Sequence, residues 1–321
     1  MLERYRYPCE ETHFPMNEYS LKQRDEFEKI RNDLVDLNCL VCDHDQFTEI
    51  GQVDRYGFYY PTGVCQKCGN LQQIQYYNEE ALALFYSKYF RDVYSNDTPK
   101  ACFQGQSGKG LRIYDFTKGF IPEKADVLEI GTGAGGILKA FRDEGHKVLG
   151  IDFDERYIKY GNEQGIEIRQ GGFDVIEPER KFDLIIISHV LEHVVDMFEF
   201  IKQVKLLLKN GARVYIEVPS LDNLAKGGYN YDFLNYFQNS HVIHFSVDSL
   251  FRLLRNNGLK AIHHDDFICC VCEIDETSLQ NGADDFRSSY LKQLKLIQTI
   301  ERKRKSFFRR LIRKIKSIFK K

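Results

Sequence analysis

The stretch that decides the fold reads Val127-Leu128-Glu129-Ile130-Gly131-Thr132-Gly133-Ala134-Gly135-Gly136, and Gly150-Ile151-Asp152 follows further along. An apolar run that enters a glycine cluster predicts a buried parallel strand turning sharply into a helix, where glycines let a ligand approach the backbone. Asp152 lies 21 positions after Gly131 and ends a second apolar run, so its carboxylate can accept both hydroxyls of a ribose. The stretch therefore predicts a nucleoside-type cofactor site in an α/β domain.

The glycine spacing alone fits two kinds of cofactor. Gly131, Gly133 and Gly136 satisfy the dinucleotide pattern G-x-G-x-x-G, whereas Gly131, Gly133 and Gly135 after Glu129 satisfy E-x-G-x-G-x-G. Glu129 discriminates between them, because a carboxylate two residues before the turn repels a pyrophosphate and attracts the ammonium and sulfonium groups of S-adenosylmethionine. We expect S-adenosylmethionine, with a nicotinamide dinucleotide as the alternative.

Composition limits the class of protein. The chain has 321 residues, 43% of them hydrophobic, which allows one large domain and one or two small ones. No apolar run approaches the roughly 18 residues needed to span a bilayer, and residues 1–13 are too polar for a secretory signal. We therefore expect a cytoplasmic protein.

Two pairs of cysteines have metal-ligand spacing. Cys39 and Cys42 form one C-x-x-C pair, and Cys65 and Cys68 form a second after 22 intervening residues. Four thiolates on two tight turns suit tetrahedral Zn²⁺, and a metal with four protein sulfurs has no open position, so we expect a structural zinc ribbon. The alternative is four unconnected cytosolic thiols.

Apolar spacing and turn residues predict the other elements before the cofactor stretch. They are a leading amphipathic helix over 17–37, ribbon strands over 52–60 and 71–76, a helix over 78–91, a mobile loop over 100–110 near the cofactor, and a helix over 109–118.

Five near-continuous apolar runs predict a parallel sheet covered on both faces, with strands over 126–130, 147–151, 166–169, 182–187 and 212–218. Ligands of such sheets bind at the carboxyl ends of the strands, where Asp174, Ser188 and His189 also lie. Asp174 is expected either to accept a hydrogen bond from the adenine amino group or to serve as a turn residue.

The segment Ser188-His189-Val190-Leu191-Glu192-His193-Val194-Val195-Asp196 follows the fourth strand. Together with the glycine stretch and Asp152, it resembles class I S-adenosylmethionine-dependent methyltransferases over residues 119–274. The cysteine-rich front half is similar to sugar methyltransferases of polysaccharide biosynthesis. The resemblance implies a Rossmann-like α/β sheet of order 3-2-1-4-5-7-6, whose seventh strand is antiparallel, with the last two strands over 260–264 and 267–274. It also implies a cofactor site lined by Glu129, Gly131, Gly133, Gly135, Asp152, Asp174, Ser188 and His189.

These predictions divide the chain into five contiguous parts. They are an N-terminal helix (1–38), a zinc ribbon (39–76), a helical connector (77–118), the methyltransferase domain (119–275) and a basic amphipathic C-terminal helix (276–321).

A long aromatic insertion over 219–246 follows the fifth strand. We expect it to cover a saccharide, because sugar rings stack on aromatic faces; the alternative is a satellite hydrophobic cluster. Its aromatic residues are Tyr229, Tyr231, Phe233, Tyr236, Phe237 and Phe245.

A sugar hydroxyl must also lose its proton, and histidine titrates in the useful range. The candidate bases are His244, His189, His193 and His241, with the first two preferred. Glu192 and His193 are alternatively a structural cap and a satisfied polar contact.

The C-terminal segment carries most of the charge asymmetry. Residues 301–321 contain 11 Lys or Arg and one Glu, leaving 34 basic and 46 acidic residues elsewhere. In 302–321 apolar residues recur at intervals of three and four, at Phe307, Phe308, Leu311, Ile312, Ile315, Ile318 and Phe319. A basic amphipathic helix of this kind is typical of an anionic membrane interface, and the acidic remainder argues against a general nucleic-acid surface. Docking to RNA or a partner and packing on its own domain remain alternatives.

The combined expectation is a peripheral enzyme on the cytoplasmic face of a membrane. It would methylate a sugar hydroxyl of a nucleotide-linked or lipid-linked saccharide in surface glycan biosynthesis. The alternatives are methylation of RNA, a protein or a small metabolite, and a zinc-ribbon binding module without activity.

Overall fold

The computed structural model describes residues 5–7, 18–30, 34–94, 98–265, 268–276 and 286–318. The helices are α1 (Glu18–Ile30), α2 (Glu79–Leu84), α3 (Phe90–Tyr94), α4 (Pro99–Thr117), α5 (Gly136–Asp143), α6 (Glu155–Glu163), α7 (Met197–Leu206), α8 (Leu221–Lys226), α9 (Phe233–Tyr236), α10 (Val247–Asn256) and α11 (Phe286–Ile318). The strands are β1 (Leu34–Asp36), β2 (Phe47–Val53), β3 (Tyr59–Cys65), β4 (Leu71–Gln73), β5 (Gln75–Tyr77), β6 (Asp126–Ile130), β7 (Lys147–Asp152), β8 (Ile168–Gln170), β9 (Phe182–Ser188), β10 (Leu208–Glu217), β11 (Ile243–His244), β12 (Leu259–His264) and β13 (Cys269–Ile274).

The chain folds into two units, and neither is a single continuous segment. Unit 1 comprises Met1–Phe85, Pro219–Ser249 and Ala283–Lys321, and unit 2 comprises Tyr86–Val218 and Leu250–Gly282. The boundaries predicted from the sequence were contiguous. The structure differs because the insertion after β10 folds with the N-terminal part of the chain.

Unit 2 contains a seven-stranded sheet in the order β8-β7-β6-β9-β10-β13-β12. This is the predicted order 3-2-1-4-5-7-6, and β13 is antiparallel to both of its neighbours. The near-continuous apolar strands are buried as expected, with Val127, Leu184 and Ile186 fully covered in the core of this unit. The mixed α/β fold with this strand order is confirmed.

Unit 1 contains a four-stranded sheet, β11-β4-β3-β2, and a two-stranded sheet, β1-β5. Strand β11 comes from the insertion and pairs antiparallel with β4, joining Ile243 to Gln72. The aromatic residues of the insertion also enter the core of this unit, where Phe233, Phe237 and Phe245 are fully buried and Tyr236 is nearly so. Four of its six aromatic rings are therefore core residues and are not available to stack on a sugar.

The leading helix is shorter than its apolar spacing predicted. It ends at Ile30, and Leu34–Asp36 forms a strand paired with β5 instead. Leu34 is paired with Tyr77 and Val35 with Tyr76 of β5, so tertiary pairing overrides the local periodicity.

The expected mobile loop over 100–110 is wrong, because these residues belong to the 19-residue helix α4. Thr98 caps the helix by accepting from the amide of Ala101, and Pro99 occupies the first helical turn. A Cβ on Gly110 would lie 2.6 Å from the carbonyl oxygen of Ile137 in α5. Glycine is needed here for close helix packing and not for flexibility.

Candidate functional site

The glycine turn joins β6 to α5 at the carboxyl edge of the sheet in unit 2. Gly131, Gly133 and Gly135 all have positive φ, between 56° and 79°, which side chains with a Cβ rarely adopt. The amide of Gly131 donates to the carbonyl of Ile151 at 2.9 Å, and the amide of Gly133 donates to Asp152 Oδ2 at 2.7 Å. The turn predicted from the glycine spacing is therefore fixed onto the end of β7.

The Glu129 carboxyl group lies inside this turn and is only 1% exposed. One of its oxygens accepts from the Thr132 hydroxyl at 2.7 Å. Burial raises the pKa of Glu129 to about 8, and the Thr132 hydrogen bond and the charge of Lys109 only partly oppose this effect. With this pKa the carboxyl group is mostly neutral at pH 7.

Asp152 and Asp174 follow β7 and β8 at the same edge. Asp152 already accepts from the amides of Gly133 and Asp154, through different oxygens. A carboxylate has about four lone-pair directions, so it can also accept ribose hydroxyls. The exposed Asp174 accepts from the amide of Gly172 at 3.1 Å, which is the contact of a turn residue. Its predicted role toward adenine stays a prediction.

Helix α4 contributes residues that the sequence analysis missed. Gln106 Oε1 accepts from the amide of Gly136 at 3.3 Å, at the start of α5. Lys109, one turn further along, lies 3.4 Å from Glu217 Oε2. The sequence analysis did not assign Gln106 or Lys109 to the site, because it predicted a loop over 100–110 and a loop has no helical face on which to place side chains.

Glu217, at the end of β10, is the centre of a charged cluster. Arg112 Nη2 lies 2.8 Å from the Glu217 carboxylate, and His189 Nε2 lies 3.7 Å from it. The Tyr215 hydroxyl donates to the same carboxylate at 3.1 Å. Ser188 donates at 3.4 Å. Burial would raise the pKa of Glu217, but His189, Lys109 and Arg112 together lower it to about 2. Its position at a strand end was the sequence signal that could have identified it.

His189 adopts a left-handed conformation (φ 56°) at the end of β9, and its side chain is 43% exposed. Its Nδ1 lies 3.3 Å from Glu192 Oε1, and its Nε2 faces Glu217. Burial opposes the charged form, yet the two carboxylates raise the pKa of His189 to about 9. At neutral pH this histidine is already protonated and cannot take a proton from a substrate.

His193 is placed differently, in a short 3-10 turn over Leu191–His193. Its side chain is 18% exposed, Nδ1 is 3.2 Å from the Tyr86 hydroxyl, and Nε2 is 4.0 Å from the buried Glu192 carboxylate. Tyr86 belongs to a π-helical turn over Phe85–Tyr89, a conformation often found at functional sites. Glu192 thus lies between the two histidines of the segment and faces both.

The other two candidate bases, His241 and His244, lie in unit 1. His244 is 1% exposed, and its Nε2 is 2.5 Å from the Tyr60 hydroxyl. Burial lowers the pKa of His244 to about 3. His241 is 9% exposed, and its carbonyl accepts from Tyr60. The preference for His244 as a base is not supported, because the ring is a core residue without access to substrate.

The four cysteines of the two C-x-x-C pairs meet in unit 1, and their sulfurs all lie within 4.8 Å of one another. The Cys39 and Cys68 sulfurs are 3.4 Å apart, and those of Cys42 and Cys65 are 3.6 Å apart. These distances are close to the roughly 3.8 Å edge of a zinc tetrahedron with 2.3 Å bonds. The amide of Cys68 points at the Cys65 sulfur, and Gly69 follows with φ 76°, as expected for a metal-binding turn.

Comparison with known proteins finds similarity over the middle of the chain. Residues 108–264 match the family described as "Methyltransferase domain". The C-methyltransferase NovU of Streptomyces niveus is 28% identical over 142 residues, covering 42% of this chain and 33% of that protein. A ubiquinone biosynthesis O-methyltransferase of Bradyrhizobium diazoefficiens is 33% identical over 95 residues, covering 27% and 38%. The chain thus spans little more than a third of the length of these curated relatives.

Solved structures give a weaker likeness. The PH0226 protein from Pyrococcus horikoshii is 16% identical with a TM-score of 0.46, covering 59% of this chain and 99% of that one. The glycopeptide N-methyltransferase MtfA is 14% identical with a TM-score of 0.41, covering 53% and 90%.

The glycine turn and most strands of the seven-stranded sheet lie within residues 108–264, the stretch that matches the methyltransferase domain family, and this agreement supports a methyltransferase.

Proposed function

We propose that the protein uses S-adenosylmethionine to methylate a sugar hydroxyl of a nucleotide-linked or lipid-linked saccharide in surface glycan biosynthesis. The observation that carries the methyltransferase activity is the turn of unit 2, where Glu129 and Asp152 flank the glycines in a domain that matches methyltransferases. Two carboxyl groups at such a turn fit a sulfonium cation and ribose hydroxyls, and they disfavour a diphosphate.

Bound S-adenosylmethionine would supply an electrophilic methyl group. The residues of the chain position it: the glycine turn admits the ligand close to the backbone, Asp152 accepts from ribose hydroxyls, and Glu129 balances the positive charge as it ionises.

The proton of the acceptor hydroxyl needs a base near the same strand edge. We assign this role to His193, because His189 is held as an imidazolium and His244 is buried. His193 is partly exposed, and the Glu192 carboxylate 4.0 Å from Nε2 would stabilise the imidazolium that forms.

A carbon acceptor is the second candidate, because the relative from Streptomyces niveus is a C-methyltransferase. An oxygen acceptor has corresponding support from the ubiquinone O-methyltransferases. Mass spectrometry and carbon NMR of a product made with ¹³C-methyl donor distinguish them, because an O-methyl carbon resonates far downfield of a C-methyl carbon.

Calorimetric titration with S-adenosylmethionine tests the activity at its first step. We expect binding by the wild type and much weaker binding by Glu129→Ala, with no binding of a nicotinamide dinucleotide. Equal binding by the two proteins, or tighter binding of the dinucleotide, would contradict the assignment.

The cysteine cluster is proposed to hold one structural Zn²⁺ through Cys39, Cys42, Cys65 and Cys68. The sulfur distances support a tetrahedral site closed to substrate. Metal analysis of the purified protein is expected to find one zinc per chain, and none after Cys65→Ser. A metal-free native protein would refute the zinc site.

Residues 302–321 are proposed to hold the enzyme on an anionic membrane on its cytoplasmic side, where lipid-linked saccharides are within reach. None of the described helices is long and apolar enough to cross a bilayer, whereas α11 continues without a break to Ile318. The side chains of 308–318 and the whole of 319–321 lie outside the described residues, so the amphipathic face stays a prediction there. Flotation with anionic liposomes is expected to recover the full chain and to lose a variant truncated at residue 301.

A further inference from the structure

Unit 1 carries an aromatic and basic surface where the loop Gly228–Tyr231 packs on α11. The rings of Tyr231 and Phe307 are 6.2 Å apart. Lys303 donates to the Ala225 carbonyl at 2.8 Å, and its ammonium lies 5.8 Å from the centre of the Tyr231 ring. The loop and the helix therefore form one continuous surface, which we call the aromatic platform (Lys226–Tyr231 and Arg302–Phe307).

The backbone of the loop is strained, and the loop carries one exposed aromatic ring. Tyr229, Asn230 and Tyr231 have φ of 53°, 57° and 60°, three consecutive residues in the left-handed region. Each costs roughly 1–2 kcal/mol relative to an ordinary conformation. Tyr229 is 38% exposed and Phe307 is 36% exposed, whereas the next residues in the chain after the loop, Asp232 and Phe233, are fully buried. A loop selected for packing alone would not keep this conformation with Tyr229 facing solvent.

The exposed charged residues of the platform are all basic. They are Lys226, Arg302, Lys303 and Lys305. The acidic residues nearby are withdrawn from the surface: Asp232 is buried, and Glu301 is 8% exposed and paired with Arg304 at 3.1 Å. Glu301 also accepts from the hydroxyl of Tyr5. The platform therefore presents positive charge around two exposed aromatic rings.

We propose that the aromatic platform docks unit 1 onto an anionic lipid bilayer, with Tyr229 and Phe307 entering the headgroup region and the lysines and arginine facing anionic lipids. Tyrosine rings are enriched at membrane interfaces because one end is apolar and the other is polar, and each basic residue adds attraction to a negative surface. The platform rests on the proposed membrane role of residues 302–321 and extends it to the loop Gly228–Tyr231. It assigns Tyr229 to lipid and not to the saccharide.

The chain contains no tryptophan, so one substitution creates a specific reporter. Tyr229→Trp in the full chain is mixed with phosphatidylcholine vesicles containing phosphatidylglycerol. We expect a blue shift of the tryptophan emission and quenching by lipids brominated near the headgroup. Tyr19→Trp, at a 56% exposed site on α1 of the same unit, is the matched control and is expected to show neither change.

One further variant, together with the tryptophan emission, separates the platform from the tail. Tyr229→Ala is expected to lower the fraction bound to anionic vesicles by about fivefold, as loss of one interfacial aromatic side chain predicts. Binding of the Tyr229→Trp protein to vesicles without any change in its tryptophan emission would overturn the platform while leaving the tail proposal intact. An equal response to zwitterionic vesicles, or a blue shift with RNA in place of lipid, would also overturn it. None of these vesicle-binding results bears on methyl transfer, which is measured separately.

Discussion

Replacing Glu129 with glutamine tests the central feature of the site, a carboxyl group buried beneath the glycine turn. Glutamine keeps the shape and can still accept from the Thr132 hydroxyl, but it cannot ionise. Glu129→Gln should therefore remove the cost of ionising a buried group while leaving the packing of β6 unchanged.

The magnitude follows from the pKa. Burial raises the pKa of Glu129 from 4.5 to about 8, and the group is 1% exposed, so solvent screening is small. A difference of one in pKa between the folded and unfolded states corresponds to about 1.4 kcal/mol of stability. Between the two pKa values the folded state holds a proton that the unfolded state has released, so stability falls as pH rises. The free energy of unfolding of Glu129→Gln should be larger than that of the wild type by about 3 kcal/mol at pH 7 and by about 5 kcal/mol above pH 8. The two proteins should differ little near pH 4.5.

Urea unfolding of the full chain without added cofactor, at pH 5, 7 and 8.5, measures this difference. Glu163→Gln, an exposed carboxylate on α6, is the matched control and should follow the wild type at every pH. Added S-adenosylmethionine should bind the wild type more tightly as pH rises toward 8, since the cation favours the ionised carboxylate. Parallel stability curves for wild type and Glu129→Gln over this range would refute the reasoning.

Predictions for four other substitutions follow from the charges of the site, its histidines and the cysteine cluster. Glu217→Gln leaves Lys109, Arg112 and His189 without their shared carboxylate and should destabilise unit 2 by about 3 kcal/mol. Because the pKa of Glu217 is lowered to about 2, this stabilisation is present above pH 4.5 and is lost on acidification. In the variant, an NMR titration should show that the pKa of His189 has fallen from about 9. His193→Gln should reduce kcat by about 100-fold with little change in S-adenosylmethionine affinity, whereas His244→Gln should lower the melting temperature and leave kcat similar in the protein that stays folded. Cys65→Ser should lose zinc and unfold unit 1 with unit 2 retained, as near-ultraviolet dichroism and metal content will show; retained zinc at full stoichiometry would argue against four-sulfur ligation.

The sequence by itself determined the sheet of unit 2 and the turn at its edge. Both are local consequences of residue type: apolar runs such as Phe182–Ile187 have no polar face to expose, and positive φ at Gly131 and Gly133 needs glycine. The sequence also predicted that the two C-x-x-C pairs would meet, because the spacing within each pair places two cysteines on one tight turn.

Tertiary structure decided the features that depend on distant partners. The aromatic residues of the insertion could face a sugar or a core, and only pairing of β11 with β4 shows that most are core residues of unit 1. The protonation state of each histidine could not be predicted from the sequence either, because it depends on neighbours in the fold. Two carboxylates raise the pKa of His189 to about 9, whereas burial lowers the pKa of His244 to about 3. Periodicity reports which face a residue occupies, whereas pKa and accessibility are set by groups far away in the chain.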